Sequence, residues 1–288
     1  MKKGILPTII TMCVLLTSNQ LYALASPDES RENVFSYKVG DYEIILLSEG
    51  QRDNNPDILI GATPEMIRQT MPDGTFRNAV NAFLVKTKDK NYLIDTGFGR
   101  NLWDNLQSVH LSPEQIDVVI LTHMHGDHTG GLLKDDKIAF PHARLILSKK
   151  EYIHSENEAK QASAILKRYS DKVETITPEE IGKKKEDGIY YIEAYGHTPG
   201  HIVCLIQSNN EQLLIWADVA HAMAIQMPYP DVSVVYDTDP DMAKETRKRL
   251  LEYASKNKIT VAGMHIPYPS IGTVEASAAG YIFSNINL

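Results

Sequence analysis

The chain has 288 residues, 43% of them hydrophobic, with 29 Lys and Arg against 37 Asp and Glu. That length allows one large domain or two small ones, and the apolar content is ordinary for a globular protein. The formal charge of −8 offers no broad basic face, which argues against nucleic acid as a partner and leaves a small molecule as the expected one.

Met1-Lys2-Lys3 is a basic start, Ile5 to Leu16 a short apolar run, and Ala23-Leu24-Ala25 an A-x-A cleavage site. Together they read as a secretory signal peptide over residues 1–25. The apolar run is too short to span a bilayer comfortably, and no Cys follows the cleavage site to carry a lipid, so no membrane anchor is expected after cleavage. Removal takes Lys2 and Lys3 and no acid, leaving 27 basic against 37 acidic groups, a charge of −10. The expected location is the periplasm or the exterior. Only Cys204 then remains, so no intrachain disulfide can form. Its neighbours Val203 and Leu205 mark it as a small buried hydrophobe.

Residues 26–36 are expected to be a flexible lead-in and 37–288 the folded domain. Tyr42 to Leu47 reads as a strand and Ser48 to Asp57 as a polar loop. Thr63-Pro64 caps a short helix over 64–70. Ala79 to Thr87 and Asn91 to Ile94 form a hairpin that ends in Asp95-Thr96-Gly97. Ser112-Pro113-Glu114-Gln115 is a capping box before the strand 118–121. Ala143 to Leu147 is a strand, and a polar helix follows over 149–169. Gly188 to Ala194 is a strand. Ile202 to Gln207 and Gln212 to Trp216 form a hairpin across Asn209-Asn210. Asp239-Pro240 caps a helix over 240–256, and Ile259 to Ala262 is another strand. No internal repeat or linker interrupts this mixed order, which favours one α/β or α+β domain with layered sheets.

The stretch Leu121-Thr122-His123-Met124-His125-Gly126-Asp127-His128 carries the chemistry. Three imidazoles and a carboxylate within six residues are costly to bury unless something pairs with them. They follow the apolar run Val118 to Leu121, so a rigid sheet holds the loop that bears them. His197, Asp218 and His265 each follow another strand. Nitrogen and carboxylate ligands in that number suit a borderline divalent metal, zinc first, with manganese, iron or cobalt compatible, and they suffice for two ions.

Thr122 to His128 and Gly196-His197-Thr198-Pro199-Gly200-His201, with Asp218, His265 and the early Asp95-Thr96-Gly97 turn, resemble the metallo-β-lactamase fold superfamily over residues 37–288. The resemblance implies an α+β fold, a four-layered αβ/βα sandwich of two mixed sheets flanked by helices. It implies that His123, His125 and His197 hold one ion, that Asp127, His128 and His265 hold a second, and that Asp218 bridges them. Asp95 would orient a ligand, and His201 would be structural. A hydroxide shared by the two ions would be the nucleophile. Ala224 to Pro228, Tyr236-Asp237-Thr238-Asp239 and Met264 to Pro269 look like the methyl parathion hydrolase-like branch, near the lactonases. That branch implies export, a homodimer, and hydrolysis of lactones or related esters as well as phosphotriesters. β-Lactam hydrolysis, or metal binding without turnover, are the alternatives. Lactonases carry Tyr three residues after the bridging Asp, where this chain has His221. His221 either donates a hydrogen bond to substrate or leaving group, or is a plain neighbour of the site. It joins Asp127 and Asp218 as a catalytic candidate. Candidate substrate-contacting residues are Phe98, Met223, Ile225, Met227 and Tyr268.

Overall fold

The computed structural model describes residues 33–158 and 160–286. The signal-peptide segment 1–25 lies outside the described residues. So does the lead-in up to residue 32. Two seven-stranded mixed sheets form the centre. The first contains β1 (Val34–Val39), β2 (Tyr42–Asn54), β3 (Phe76–Lys86), β4 (Asn91–Ile94), β5 (Val118–Ile120), β6 (Arg144–Ser148) and β7 (Val173–Ile176). The second contains β8 (Lys184–Glu186), β9 (Ile189–Glu193), β10 (Ile202–Ser208), β11 (Glu211–Ile215), β12 (Thr260–Ala262), β13 (Ile271–Ser277) and β14 (Gly280–Asn285). Both sheets pair their strands in chain order.

Strand alternation explains the layers. In β2, Ile44 and Leu46 point into the space between the sheets, where they meet Phe83, Ile120, Cys204, Ile206 and Ile215. Ile45 and Leu47 point the other way, against Leu102 and Leu106 of the helix Leu102–Ser108 and Ile165 of the helix Lys160–Arg168. On the outer face of the second sheet, Val203, Leu205 and Leu214 pack on Leu250, Leu251 and Ala254 of the helix Pro240–Asn257. Helix, sheet, sheet and helix therefore stack as four layers. Each buried Leu, Ile or Phe stabilises that stack by roughly 1.5–3 kcal/mol.

Two local expectations need correction. Residues 34–36 are not a flexible lead-in, because β1 begins at Val34 and pairs antiparallel with β2 from Val34↔Leu47 onward. The polar stretch after Leu47 is not a loop. β2 passes a register shift between Ser48 and Gln51 and stays paired with β3 as far as Asn54↔Phe76. The partner strand supplies the ladder that the segment's own side chains do not announce. The polar helix expected over 149–169 is helical over Lys149–Glu158 and Lys160–Arg168.

A shared edge is what the fold provides for function. β4 and β5 are parallel, and so are β11 and β12. β9 runs the same way as β11, since each is antiparallel to β10. Their C-terminal ends therefore open along one edge, and each ends in a loop bearing His or Asp.

Candidate metal centre

Asp218 sits at the middle of the edge, in the turn after β11. Its Oδ2 lies 3.6 Å from His123 Nε2, 3.2 Å from His197 Nε2, 3.0 Å from His221 Nε2 and 3.1 Å from His265 Nε2. Its Oδ1 lies 3.2 Å from His128 Nε2. His125 approaches His197 through Nδ1 at 3.1 Å, and Asp127 Oδ2 lies 3.6 Å from His265 Nε2. Three overlapping groups result: His123, His125, His197 and Asp218; Asp127, His128 and His265; and Asp218, His221 and His265, with the donor atoms of each group within 4.8 Å of one another. The strand ends thus bring all seven expected ligands together, and they bring His221 as well. His221 stacks on the His265 ring at 4.6 Å and is buried, so it belongs to the centre rather than to the outer surface.

The donor set fits divalent cations. His123 Nε2, His128 Nε2 and Asp218 Oδ1 are buried and make no well-aligned hydrogen bond, although the last two stand 3.2 Å apart, an arrangement native proteins rarely leave unmet without an ion or water. The far nitrogens explain why the ring faces are fixed. His128 Nδ1 lies 2.7 Å from Asp95 Oδ2, His197 Nδ1 2.9 Å from Asp237 Oδ1, and His265 Nδ1 2.9 Å from the Ala79 carbonyl. A proton on each Nδ1 leaves Nε2 as a lone pair aimed inward, which is the tautomer a metal ligand needs. His201 instead places Nδ1 2.9 Å from the Ala194 carbonyl, while its Nε2 accepts from the Asp218 amide at 3.4 Å. It braces the turn that carries Asp218.

The loops are tied to one another by buried acids. Asp95 accepts from the Thr122 amide at 2.8 Å and from the Thr122 hydroxyl at 2.7 Å, which anchors the start of the His-rich loop. Glu151, buried on the helix Lys149–Glu158, accepts from the Met124 amide at 2.9 Å, the Thr198 hydroxyl at 2.6 Å and the Gly200 amide at 3.1 Å. It therefore binds the His123–His128 loop to the His197 loop. Met124 accordingly packs into the core beneath the loop. Gly196 takes φ +123°, and a Cβ there would sit 2.2 Å from the Ala243 amide nitrogen, so only glycine lets this loop lie against the helix Pro240–Asn257.

The electrostatics follow from crowding. Burial alone would raise the Asp218 carboxyl, but the surrounding histidines, His128 foremost, hold it well below the usual carboxylate range. Burial disfavours charge on His128, yet Asp218, Asp95 and Asp127 lift it well above the ordinary imidazole value. Burial pushes His125 and His221 down to about 4. His197 rises to about 9, because Asp218 and Asp237 outweigh its desolvation.

A cavity of about 500 Å³ opens over this centre. Phe98 lines it, as expected from its place after the Asp95 turn. The other four proposed substrate contacts do not. Residues 223–226 form a helical turn rather than a strand, and it turns Ile225 inward. Ile225 packs against Met71, Phe76 and Val232. Met227 and Met223 join the core beside Trp216 and Leu250. Tyr268 meets Phe35 edge to face at 6.1 Å, at the margin of the core between the sheets. The wall is built instead by Arg52, Asn54, Asn55, Ile58 and Tyr236, the last held beside Ile58 by the Val235 amide, which donates to the Ile58 carbonyl at 2.8 Å. These were missed because residues 48–57 read as a solvated loop. Asp237 and Glu151 were missed too. Nothing local marks an acid that will be buried by elements far away in the chain.

Residues 75–265 match the profile of the metallo-beta-lactamase superfamily. Among curated proteins the chain is similar to the lactamase-like protein ptaB of Pestalotiopsis fici, 30% identical over 132 residues, covering 45% of this chain and 36% of that protein. It is also similar to an atrochrysone carboxyl ACP thioesterase of Aspergillus chevalieri, 34% identical over 115 residues, covering 38% and 37%. The matches span little more than a third of those relatives' own length. Among solved structures it resembles AidC, a dizinc quorum-quenching lactonase in complex with a product, with TM-score 0.83 and 27% identity over 89% of this chain and 98% of that one. It resembles the hydrolase AbOPH with TM-score 0.81 and 25% identity over the same shares. Its profile match over more than half its length, its two stacked mixed sheets and its strand-end histidines agree: the chain belongs to the metallo-beta-lactamase superfamily.

Proposed function

We propose that the protein is an exported hydrolase of lactones or related carboxylic esters that works with two divalent cations, zinc by default, and takes phosphotriesters as a second substrate class. The observation that carries this reading is the set of buried Nε2 and Oδ1 atoms, without well-aligned hydrogen bonds, converging on the floor of an open cavity. The structural likeness to a dizinc lactonase supports the lactone assignment. The likeness of the C-terminal third to the methyl parathion hydrolase-like branch supports phosphotriesters. The N-terminal signal pattern supports export, and the same branch supports a homodimer, which light scattering on the mature protein would test.

In this reading His123, His125 and His197 would hold one ion and Asp127, His128 and His265 the other, with Asp218 available to both. The ions would supply an activated water and polarise the carbonyl or phosphoryl oxygen. Hydrolysis breaks the bond from the acyl carbon to the leaving oxygen, adds OH to the carbon and leaves a proton on the departing oxygen. His221 lines the cavity, burial pushes its titration down to about 4, and its Nε2 lies 3.0 Å from Asp218 Oδ2. In this reading its N–H would turn from Asp218 to the departing oxygen during hydrolysis. Phe98 and Ile58 offer apolar surface to the acyl or aryl portion.

The test is a panel of lactones of varied acyl length, aryl esters, phosphotriesters and nitrocefin on metal-reconstituted mature protein, with metal content measured alongside. About two ions per chain and lactone or ester turnover lost on chelation are expected. Metal-loaded protein inert to the whole panel would refute the reading and leave a metal-binding module. Nitrocefin turnover matching that of lactones would replace it with β-lactam hydrolysis.

A further inference from the structure

One wall of the cavity carries a guanidinium, Arg52, and its placement follows from strand register. In the paired stretch of β2 and β3 beyond the bulge, Arg52 lies opposite Asn78, Asp53 opposite Arg77 and Asn54 opposite Phe76. Alternation puts Arg52 and Asn54 on one face, and cross-strand neighbours share a face, so Arg52 stands beside Asn78. All three line the cavity. Asp53 faces the other way and pairs with Arg77 at 3.3 Å. The acid nearest in sequence is thus turned from Arg52 and already engaged. Glu49 lines the adjoining depression with Arg52, but its two oxygens accept from the Phe98 amide at 2.9 Å and the Arg100 amide at 2.6 Å. Among the described residues no ion pair or hydrogen bond involves the Arg52 side chain.

The Arg52 guanidinium is exposed on the wall of the cavity, in a chain of charge −8. General surface charge does not account for it, because that background is negative. The amide groups of Asn54 and Asn55 extend the same wall, while Phe98 and Tyr236 supply the apolar part. Asn78 is held in place by donating to the His221 carbonyl at 2.9 Å. A ligand that satisfies both halves has an apolar body and an anionic oxygen group. A planar guanidinium fork matches a carboxylate or a phosphate through two parallel hydrogen bonds.

We propose that Arg52 is a specificity-determining residue, and that the preferred substrate carries a carboxylate or phosphate-type anion in addition to its hydrolysable ester or lactone. This rests on the hydrolase reading above. The test pairs 4-nitrophenyl valerate, which is neutral, with the 4-nitrophenyl monoester of glutaric acid and with 4-nitrophenyl 4-phosphonobutyrate. The ratio of kcat/KM, anionic over neutral, is expected to be about 10–100 for the metal-loaded protein, the range a charge-assisted hydrogen bond gives. It should fall towards one in Arg52→Gln, be partly retained in Arg52→Lys and shrink as salt rises. The carboxylate and phosphonate arms show which anion the wall prefers. A parallel calorimetric measurement uses the amide analogues glutaric monoanilide and valeranilide, which the protein need not cleave. Preferential binding of the anionic anilide that disappears in Arg52→Gln, without ester turnover, would sustain the anion site while sinking the hydrolase reading. A ratio near one in the wild type, or equal preferences in wild type and Arg52→Gln, overturns the proposal. Arg52 is exposed, so these variants should fold normally.

Discussion

Replacing Asp237 with Ala tests whether the metal centre is shaped by an acid outside the ligand set. The Asp237 side chain is fully buried. One oxygen lies 2.9 Å from His197 Nδ1, and the other accepts from the Val234 amide at 3.1 Å with Arg247 at 3.7 Å. Truncation removes the acceptor that fixes the His197 tautomer and ring angle. Loss of such an outer partner typically lowers metal affinity about 10–100-fold, or roughly 1.4–2.8 kcal/mol at 1.4 kcal/mol per decade. That range matches the roughly 1.5–3 kcal/mol expected for a hydrogen bond to a charged group. Arg247 keeps three carbonyl partners, Val219 at 2.7 Å, Pro230 at 2.9 Å and Val232 at 2.7 Å, so the variant should still fold. Asp237→Asn should lose less affinity, since its amide oxygen can still accept from His197. The assay is zinc competition against a chromophoric chelator at pH 7, with circular dichroism melts of the metal-free proteins as the control for folding. Folded Asp237→Ala protein with zinc affinity within about twofold of wild type would refute the reasoning, because affinity would then not depend on this partner.

Three further predictions follow from the same geometry. Asp218→Ala should abolish turnover and reduce the metal content measured after dialysis; retained turnover would remove Asp218 from the centre. His197 is raised to about 9, so in the metal-free protein it is protonated at neutral pH, and its stabilising pair is fully present below its ordinary value of 6.5 and lost as pH rises through about 9. Metal-free protein should therefore lose stability from pH 6.5 to 9 while zinc affinity rises and zinc binding at pH 7 releases protons, measurable by calorimetry in buffers of different ionisation enthalpy. Gly196→Ala should cost roughly 2–4 kcal/mol in urea unfolding, since the new methyl meets the Ala243 backbone and the loop needs positive φ. An unchanged midpoint would mean that the loop can move off the helix freely.

The metal-type residues were legible because their cost makes them conspicuous. His123, His125, Asp127 and His128 crowd one short loop after an apolar strand, and His197, Asp218 and His265 repeat the placement. The order of elements was legible for a similar reason: β5, β10 and β11 are built around Val, Ile and Leu and bounded by turn residues. The cavity wall was not legible, because Gln51 to Asn54 has no apolar alternation and is a strand only through pairing with β3. Ile225 and Met227 misled in the opposite sense. Their alternation suggested a strand with one face towards substrate, but a four-residue helical turn buries both.

The least legible part of the site is the one that gives it rigidity. Asp95 and Asp237 lie in loops and Glu151 on a helix, and each joins or fixes segments distant in sequence: Asp95 reaches His128, Glu151 reaches Gly200, and Asp237 reaches His197. None is distinguishable from a solvated acid until the sheets stack. Once stacked, burial makes each an expensive group to leave unpaired, so the loops must come to it. The ligand loops are consequently held at both ends of their histidines, by the strand behind and the acid beside. A centre built that way can keep its donor atoms aimed at one point before any cation arrives, and variants of these acids should weaken metal retention before they weaken the fold.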